Sequence, residues 1–292
     1  MMNLDEHTIT AEVLRRIEHT PNKRLKQIMT SLIEHLHAFA REVHLNEAEW
    51  MEGIEFLTRT GQISNAVRQE MILLSDTLGL SQLVVAQNHS RPNGATEQTV
   101  FGPFHVEDAP DLPSHGCDIG GSLSGAPLWV TASVTDMDGR AVPGAVVDVW
   151  QADSEGFYDV QDDDWSADAS RLRAVFRSDT DGRLSFRSIM PSSYPIPMDG
   201  PVGQMMNATL RDPTRPAHLH FMIRKEGFDT LVTHVFANGD EYLDSDSVFG
   251  VRASCIGDYV RHEAGALPDG TRIDAPFYTL DYTFTLHDAA HA

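Results

Sequence analysis

Cysteine is nearly absent: Cys117 and Cys255 are the only two in 292 residues. They are too few for a disulfide framework and lack the CxxC spacing of a zinc or redox motif, so they read as ordinary reduced thiols. Basic residues are scarce too, with 22 Lys and Arg against 43 Asp and Glu and a formal charge of −21. Binding a nucleic-acid backbone takes clustered cations, so that class is excluded, and a small anionic substrate would need locally placed positive charge. No apolar run approaches the roughly 18 residues of a membrane span. The start "MMNLDEHTIT" is acidic where a secretion signal would be basic, which points to a cytoplasmic protein, not a membrane protein. There is no GxGxxG or P-loop, hence no reason to invoke a nucleotide. The acidic loop "VQDDDWSADAS" lacks the glycine and closing glutamate of a calcium loop and reads as solvated surface.

What remains is the composition of a soluble globular protein, 41% hydrophobic and 22% charged, without biased tracts or evident internal repeats. Its length suits one large or two ordinary domains. In the first part, Leu25, Ile28, Met29, Leu32, Ile33, Leu36, Phe39, Ala40 and Val43 step by three and four, one stripe of an amphipathic helix. Thr20 as N-cap followed by Pro21 marks its expected start. Asn46 with Glu49 in "NEAEWMEGIEFL" gives a capping-box start for a second helix, and a third stretch runs from about 64 to 87. After "HSRPNGATEQT" the period changes to two. "LWVTASVTD", "AVVDVWQAD", "RLSFRSI", "HLHFMIR", "TLVTHVFA" and "FYTLDYTFTL" are short, β-branched or aromatic, and separated by turn sequences such as "DMDGR", "DTDG" and "ANGD". The expected fold is mainly β: an antiparallel β-sandwich over residues 96–292 with an all-helical N-terminal domain over residues 1–95.

"RPAHLHF" places His218 and His220 two residues apart in a strand, where both side chains share one face and can converge on one atom. The same His-x-His spacing in "EHLHAF" falls in the helical stripe, where residues two apart diverge, so His35 and His37 read as surface residues. The strand pair alone leaves a metal site and an ordinary sheet or core histidine pair both open. Tyr158 in "SEGFYDVQ" and Tyr194 in "MPSSYPIP" sit in loop-like contexts beside Gly or Pro, and taken singly each reads as packing.

The blocks "GPFHVEDAP", "VPGAVVDVWQADSEGFYD", "FRSIMPSSYPIP" and "RPAHLHFMI", in this order, resemble the intradiol ring-cleavage dioxygenases, the catechol and hydroxyquinol 1,2-dioxygenases. The likeness extends across almost the whole chain, the helical part included. It implies a non-haem Fe(III), one per subunit, held by Tyr158, Tyr194, His218 and His220. The donor set suits the ion: ferric iron is a hard cation that favours anionic oxygen, and a metal lowers the pKa of a phenol far below its usual ~10. Zinc sites prefer Cys, His and carboxylate, and ferrous oxygenases two histidines and one carboxylate. The resemblance further implies that Tyr194 is displaced by substrate while Tyr158 stays bound. It also implies that Arg215 lies beside the ring and steadies the electron-rich intermediate, as its fixed charge and planar donors allow. His234 stands where catechol-cleaving relatives commonly carry glutamine and is a candidate proton carrier behind the ligands.

By the same resemblance Leu73, Asp76, Val100, Phe101, Gly102 and Pro103 surround the substrate. An apolar slot holds any flat ring, whereas discrimination between rings needs polar matching. In the family an acidic residue at the position of Asp76 accompanies hydroxyquinol cleavers, where it accepts a hydrogen bond from the third hydroxyl. The expected reaction is therefore cleavage of hydroxyquinol (benzene-1,2,4-triol) by O2 to 3-hydroxy-cis,cis-muconate, the tautomer of maleylacetate, with catechol or chlorocatechol as alternative substrates. The apolar helical stripe, together with the family's habit, leads to the expectation of a homodimer through the N-terminal helices with a phospholipid in the interface. The rival class is a non-catalytic β-sandwich: "GRAVPGAVVDVWQADSEGFYD" also looks like the opening of carboxypeptidase-regulatory-like and transthyretin-like modules. Such a module has no need of Tyr194 or "RPAHLHF".

Overall fold

The computed structural model describes residues 4–65, 68–89, 94–162, 165–166 and 169–289. The chain divides into two compact units, Met1–Arg59 and Thr60–Ala292.

The first unit is helical, with α1 (Ile9–Arg16), α2 (Lys23–Glu42) and most of α3 (Glu47–Ile63). The N-cap of α2 is Asn22, whose side chain accepts from the Leu25 amide at 2.9 Å, not the expected Thr20. Thr20 is occupied one turn earlier: its hydroxyl donates to the Ile17 carbonyl at the end of α1, and Pro21 stays outside the helix. The capping box of α3 forms as expected, Asn46 Oδ1 accepting from the Glu49 amide and Glu49 Oε2 from the Asn46 amide, both at 3.0 Å. His35 is exposed, while His37 is half-buried with Nδ1 2.9 Å from the Thr10 hydroxyl. Leu25, Ile28, Leu32, Leu36, Phe39 and Val43 remain 47–55% exposed, so the apolar stripe is not consumed by the helices of its own unit.

The second unit opens with α4 (Glu70–Thr77) and α5 (Leu80–Asn88). The single helix expected over 64–87 is broken between them by Gly79, in the left-handed conformation at φ +73, which costs glycine little and a branched residue much. The chain then runs through β1 (His115–Asp118), β2 (Pro127–Thr135), β3 (Val146–Trp150), β4 (Arg173–Arg177), β5 (Arg183–Ile189) and β6 (Tyr194–Pro195). After α6 (Pro201–Ala208) come β7 (Thr214–Arg215), β8 (His218–Arg224), β9 (Leu231–Ala237), β10 (Ile256–Gly257) and β11 (Tyr259–His262). The strands end with β12 (Gly265–Ala266), β13 (Arg272–Ile273) and β14 (Phe277–Thr285).

All six strands read from period-two segments are present. They form two five-stranded sheets, ordered β10-β9-β8-β3-β4 and β1-β5-β2-β14-β11. Most pairings are antiparallel, but β14 joins β2 in parallel, as do β1 with β5 and β10 with β9. These parallel pairs depend on long connections that no local turn signal announces. The core lies between the sheets, where Val147 and Val149 of β3 and Leu219, Phe221 and Ile223 of β8 meet Val130, Val134 and Phe186. Phe176 and Phe186 stack across the interface with centroids 5.0 Å apart. Each such fully buried side chain contributes roughly 1.5–3 kcal/mol.

The alternation has a direct consequence for chemistry. With Leu219, Phe221 and Ile223 committed to the core, His218 and His220 must point to the opposite face of the sheet. The β8–β9 register sets His234 directly opposite His220, and the β3–β8 register sets Trp150 opposite His220 on the other side. That outer face is covered by the loops before β1 and between β3 and β8, and all four of these residues are buried.

Candidate metal centre

Four donor atoms close a ring on the outer face. Tyr158 Oη lies 2.8 Å from both Tyr194 Oη and His220 Nε2. His220 Nε2 is 3.1 Å from His218 Nε2, which is 3.4 Å from Tyr194 Oη. The four residues come from one loop and the strands β6 and β8, spread over about sixty positions, yet each is no more than 4% exposed. The same four were named from the sequence, and the fold brings all of them together.

Each donor is held from behind. Tyr158 is covered by Phe104, stacked at 4.4 Å, and its amide donates to the Gln161 side chain at 2.8 Å. Next to it, Asp159 is locked by the buried Arg173, whose Nη1 also donates to the Phe104 carbonyl at 3.1 Å. Tyr194 pairs with Arg215 in the short β6–β7 ladder. The Tyr158 loop passes so close to Tyr194 that a Cβ on Gly156, already at φ +92, would fall 2.3 Å from the Tyr194 Cβ. Only glycine fits there. A single carboxylate oxygen, Asp240 Oδ2, accepts from Ser193 Oγ at 2.6 Å and from the Ala217 amide at 3.0 Å. It thus ties the residues that precede Tyr194 and His218. Trp150 stacks on the His220 ring at 4.7 Å.

The donor chemistry fits a cation. His218 Nδ1 donates to the Pro216 carbonyl at 2.6 Å, which leaves its Nε2 as a bare lone pair. Burial, and next Arg215, depresses the His218 pKa; burial and next His234 do so for His220, so both rings are neutral and able to ligate. His220 Nδ1 is buried without a hydrogen-bond partner, so the ring's polar contacts are all made through Nε2. Burial first, then the neighbouring phenol, raises Tyr158; burial raises Tyr194 against the lowering effect of Arg215. Two phenol oxygens and two imidazole nitrogens facing one point at these separations fit donors that share a metal ion about 2 Å from each.

A second combination is close by: ligand atoms of His218, His220 and His234 lie within 4.8 Å of one another. His234 is otherwise engaged. Its Nδ1 bonds the Thr99 hydroxyl and its Nε2 is 3.5 Å from Arg215 Nη2. The four-donor ring is tighter, with sides of 2.8 to 3.4 Å, and His234 lies next to it, opposite His220 in the sheet.

Arg215 is fully buried, its Nη1 3.2 Å from His218 Nε2 and its Nε donating to Asp246 Oδ1 at 3.0 Å. Asp246 was not foreseen; nothing in "DSDSVFG" distinguishes this aspartate from exposed loop acids. Of the residues expected around the substrate, Gly102 abuts the centre, since a Cβ on it would lie 3.3 Å from His220 Cε1. Val100 is buried and packs close to Gly250 beside Arg215. Asp76 is buried on α4 with Leu73 one turn before it. Burial pushes the Asp76 carboxyl up to about 6, against lowering by Ser81 and Arg215. Phe101 is 39% exposed, ringed by His105 at 4.7 Å and Trp150 at 5.9 Å. It is a rim residue. Pro103 is half-buried in the same loop. A cavity of about 950 Å³ is lined by Tyr194 and Phe104 together with Gly156, Phe157, Trp165 and Met198. In the acidic loop, residues 163–164 and 167–168 lie outside the described residues.

Residues 100–287 match the family described as "Dioxygenase", and residues 22–96 the one described as "Catechol dioxygenase N terminus". The chain belongs to the intradiol ring-cleavage dioxygenases, and the binding-module alternative falls away. It is 55% identical to the 6-chlorohydroxyquinol 1,2-dioxygenase of Cupriavidus pinatubonensis over 98% of this chain and 99% of that one. It is 50% identical to the hydroxyquinol 1,2-dioxygenase of Nocardioides simplex, over 97% and 96%. The crystal structure of hydroxyquinol 1,2-dioxygenase from Pseudomonas putida DLL-E4 superposes with a TM-score of 0.86 at 47% identity, covering 97% of this chain and 99% of that one.

Proposed function

We propose that this protein cleaves hydroxyquinol between its adjacent hydroxyl-bearing carbons, inserting both atoms of O2 to give 3-hydroxy-cis,cis-muconate, the tautomer of maleylacetate. The observation that carries the reading is the ring of two phenol oxygens and two imidazole nitrogens with sides of 2.8 to 3.4 Å. Tyr158, Tyr194, His218 and His220 would hold one Fe(III) per chain, which when bound supplies the Lewis acidity and redox reach that make a diolate ring react with O2.

The remaining steps belong to the protein. Arg215, fully buried and paired on one edge with Asp246, directs its amino groups at the centre and stabilises negative charge on the ring. Leu73 and Val100 are apolar and buried, and keep water from the ring. Asp76 Oδ1 is buried with no partner, a standing acceptor for the third hydroxyl of a triol, which a diol would leave unsatisfied. A halogen-bearing triol is a second candidate, favoured by the 6-chlorohydroxyquinol activity in the name of the 55% identical relative. The test is metal analysis of the purified protein, its visible phenolate-to-iron absorption, and O2 uptake with hydroxyquinol, 6-chlorohydroxyquinol, catechol and chlorocatechol. Faster turnover of catechol would reject the triol assignment, and colourless, iron-free protein the whole reading.

The same reading includes a functional division near residue 95, a cytoplasmic setting, and a homodimer through the N-terminal helices with phospholipid in the interface. The half-exposed stripe from Leu25 to Val43 supports the dimer. Among the described residues, no helix is long and apolar enough to cross a membrane. Sizing at micromolar concentration checks the dimer, with a monomer the refuting result, and solvent extraction followed by mass spectrometry checks the lipid.

A further inference from the structure

Arg215 has two possible carboxylate partners in the same dry region. Asp246 holds it now: Oδ1 accepts from Arg215 Nε at 3.0 Å. Asp246 is itself fixed, with Oδ2 accepting from the Gly250 amide at 2.8 Å and Oδ1 facing the Val248 amide at 3.4 Å. The carboxylate therefore cannot follow the guanidinium if it turns. The bend around it is shaped to the pair, since a Cβ on Gly250 would sit 3.0 Å from Asp246 Oδ2 and 3.3 Å from Arg215 Nη2. The other carboxylate is Asp76: Arg211 donates to the carbonyls of both Thr77 and Ser247, the residues that follow Asp76 and Asp246, at 2.5 and 3.0 Å, which sets the end of α4 beside the Asp246 bend. Asp76 Oδ1 is buried and unpartnered. A buried acceptor without a donor is costly, and a guanidinium with five donors is the natural means of satisfying it.

We propose that Asp246 is a positioning residue that holds the Arg215 fork toward the ligand histidines and away from Asp76, so that Asp76 stays open for the third hydroxyl of the ring. The proposal rests on the roles given above to Arg215 and Asp76. Without the Asp246 charge, Arg215 swings to Asp76, and one rotation removes both the charge beside the ring and the acceptor for its hydroxyl. The rival can itself be removed, which separates this account from simple structural damage.

The experiment is a double-mutant cycle on the iron-loaded enzyme with hydroxyquinol and O2, using Asp246→Asn, Asp76→Asn and the pair. Asp246→Asn is expected to keep the visible phenolate-to-iron band while kcat falls by about tenfold or more. Adding Asp76→Asn to it is expected to recover about threefold of that kcat, because no second carboxylate then draws Arg215 away. An unchanged kcat in Asp246→Asn, or losses that simply multiply in the pair, overturns the proposal. Should Asp246→Asn not fold, Asp246→Ser keeps an acceptor for the Gly250 amide and takes its place; loss of the band in both makes Asp246 structural and also overturns it. A wild-type protein without band or O2 uptake would instead refute the dioxygenase reading itself.

Discussion

Replacing Asp76 with Asn tests the substrate assignment and the electrostatics of the site at once. The carboxyl is raised from 3.8 to about 6. A group whose folded pKa exceeds its unfolded one stabilises the fold when protonated, so the stabilisation is complete below about 4 and is lost as pH rises through about 6. A shift of about two units corresponds to roughly 3 kcal/mol at most, at about 1.4 kcal/mol per unit. Above pH 6, ionised Asp76 therefore holds the protein below the stability it would have with a neutral isostere. Asp76→Asn is expected to melt higher than wild type at pH 8, with the difference shrinking toward pH 4. Function should move the other way. A hydrogen bond to a charged acceptor is worth about 1.5–3 kcal/mol, so kcat/KM for hydroxyquinol should fall by about 10- to 150-fold, while that for catechol changes little. In wild type the hydroxyquinol-to-catechol ratio should decline as pH drops below about 6. Thermal melts at pH 4, 6 and 8 and paired steady-state assays check both halves. Equal losses on the two substrates, or a lower melting temperature at pH 8, would refute the reasoning.

Tyr158→Phe removes one phenol from the donor ring, so the visible band should bleach or shift; an unchanged spectrum would show that Tyr158 is not a ligand. Gly156→Ala puts a methyl 2.3 Å from the Tyr194 Cβ in a positive-φ position, and overpacking plus backbone strain of about 2–5 kcal/mol should displace Tyr194 and lower both iron content and melting temperature. Arg173→Met leaves the buried Asp159 carboxylate unpaired beside Tyr158, and a loss of about 3–5 kcal/mol in denaturant unfolding is expected. Asp240→Ala strips the acceptor from the Ala217 amide and Ser193 hydroxyl, which should cost about 1–3 kcal/mol and weaken iron retention, measured by chelator competition.

How much of this was legible in the sequence follows from which contacts are local. The six long strands declared themselves through period two, and the helix α3 through its capping box, because both signals lie within a few residues of one another. The cap of α2 was misplaced by two positions because Thr20 and Asn22 are chemically equivalent candidates, and only the fold shows that Thr20 is spent on closing α1. Gly79 breaks the expected third helix, which a single interior glycine does not oblige. The parallel β2–β14 pairing joins residues some 150 positions apart and has no local signature at all.

The site divides along the same line. His218 and His220 were readable as a same-face pair because β8 has to give Leu219, Phe221 and Ile223 to the core, so the histidines' direction is a consequence of hydrophobic alternation. Tyr158 and Tyr194 carried no such internal evidence and came only from resemblance, since a loop tyrosine has no period to betray its direction. The supporting carboxylates Asp159, Asp240 and Asp246 were missed for a related reason: in an acidic chain with 43 Asp and Glu, the few that are buried and paired look like the many that are solvated. Asp240 bonds groups immediately before Tyr194 and His218, Asp246 bonds Arg215 itself, and Asp159, held by Arg173, directly follows Tyr158. A buried carboxylate needs charged or amide donors to repay its desolvation, and here those donors are the backbone and arginines around the four donor side chains. The fold thus uses buried charges as anchors for the candidate centre, which is why their removal is expected to register in iron binding and turnover as well as in stability.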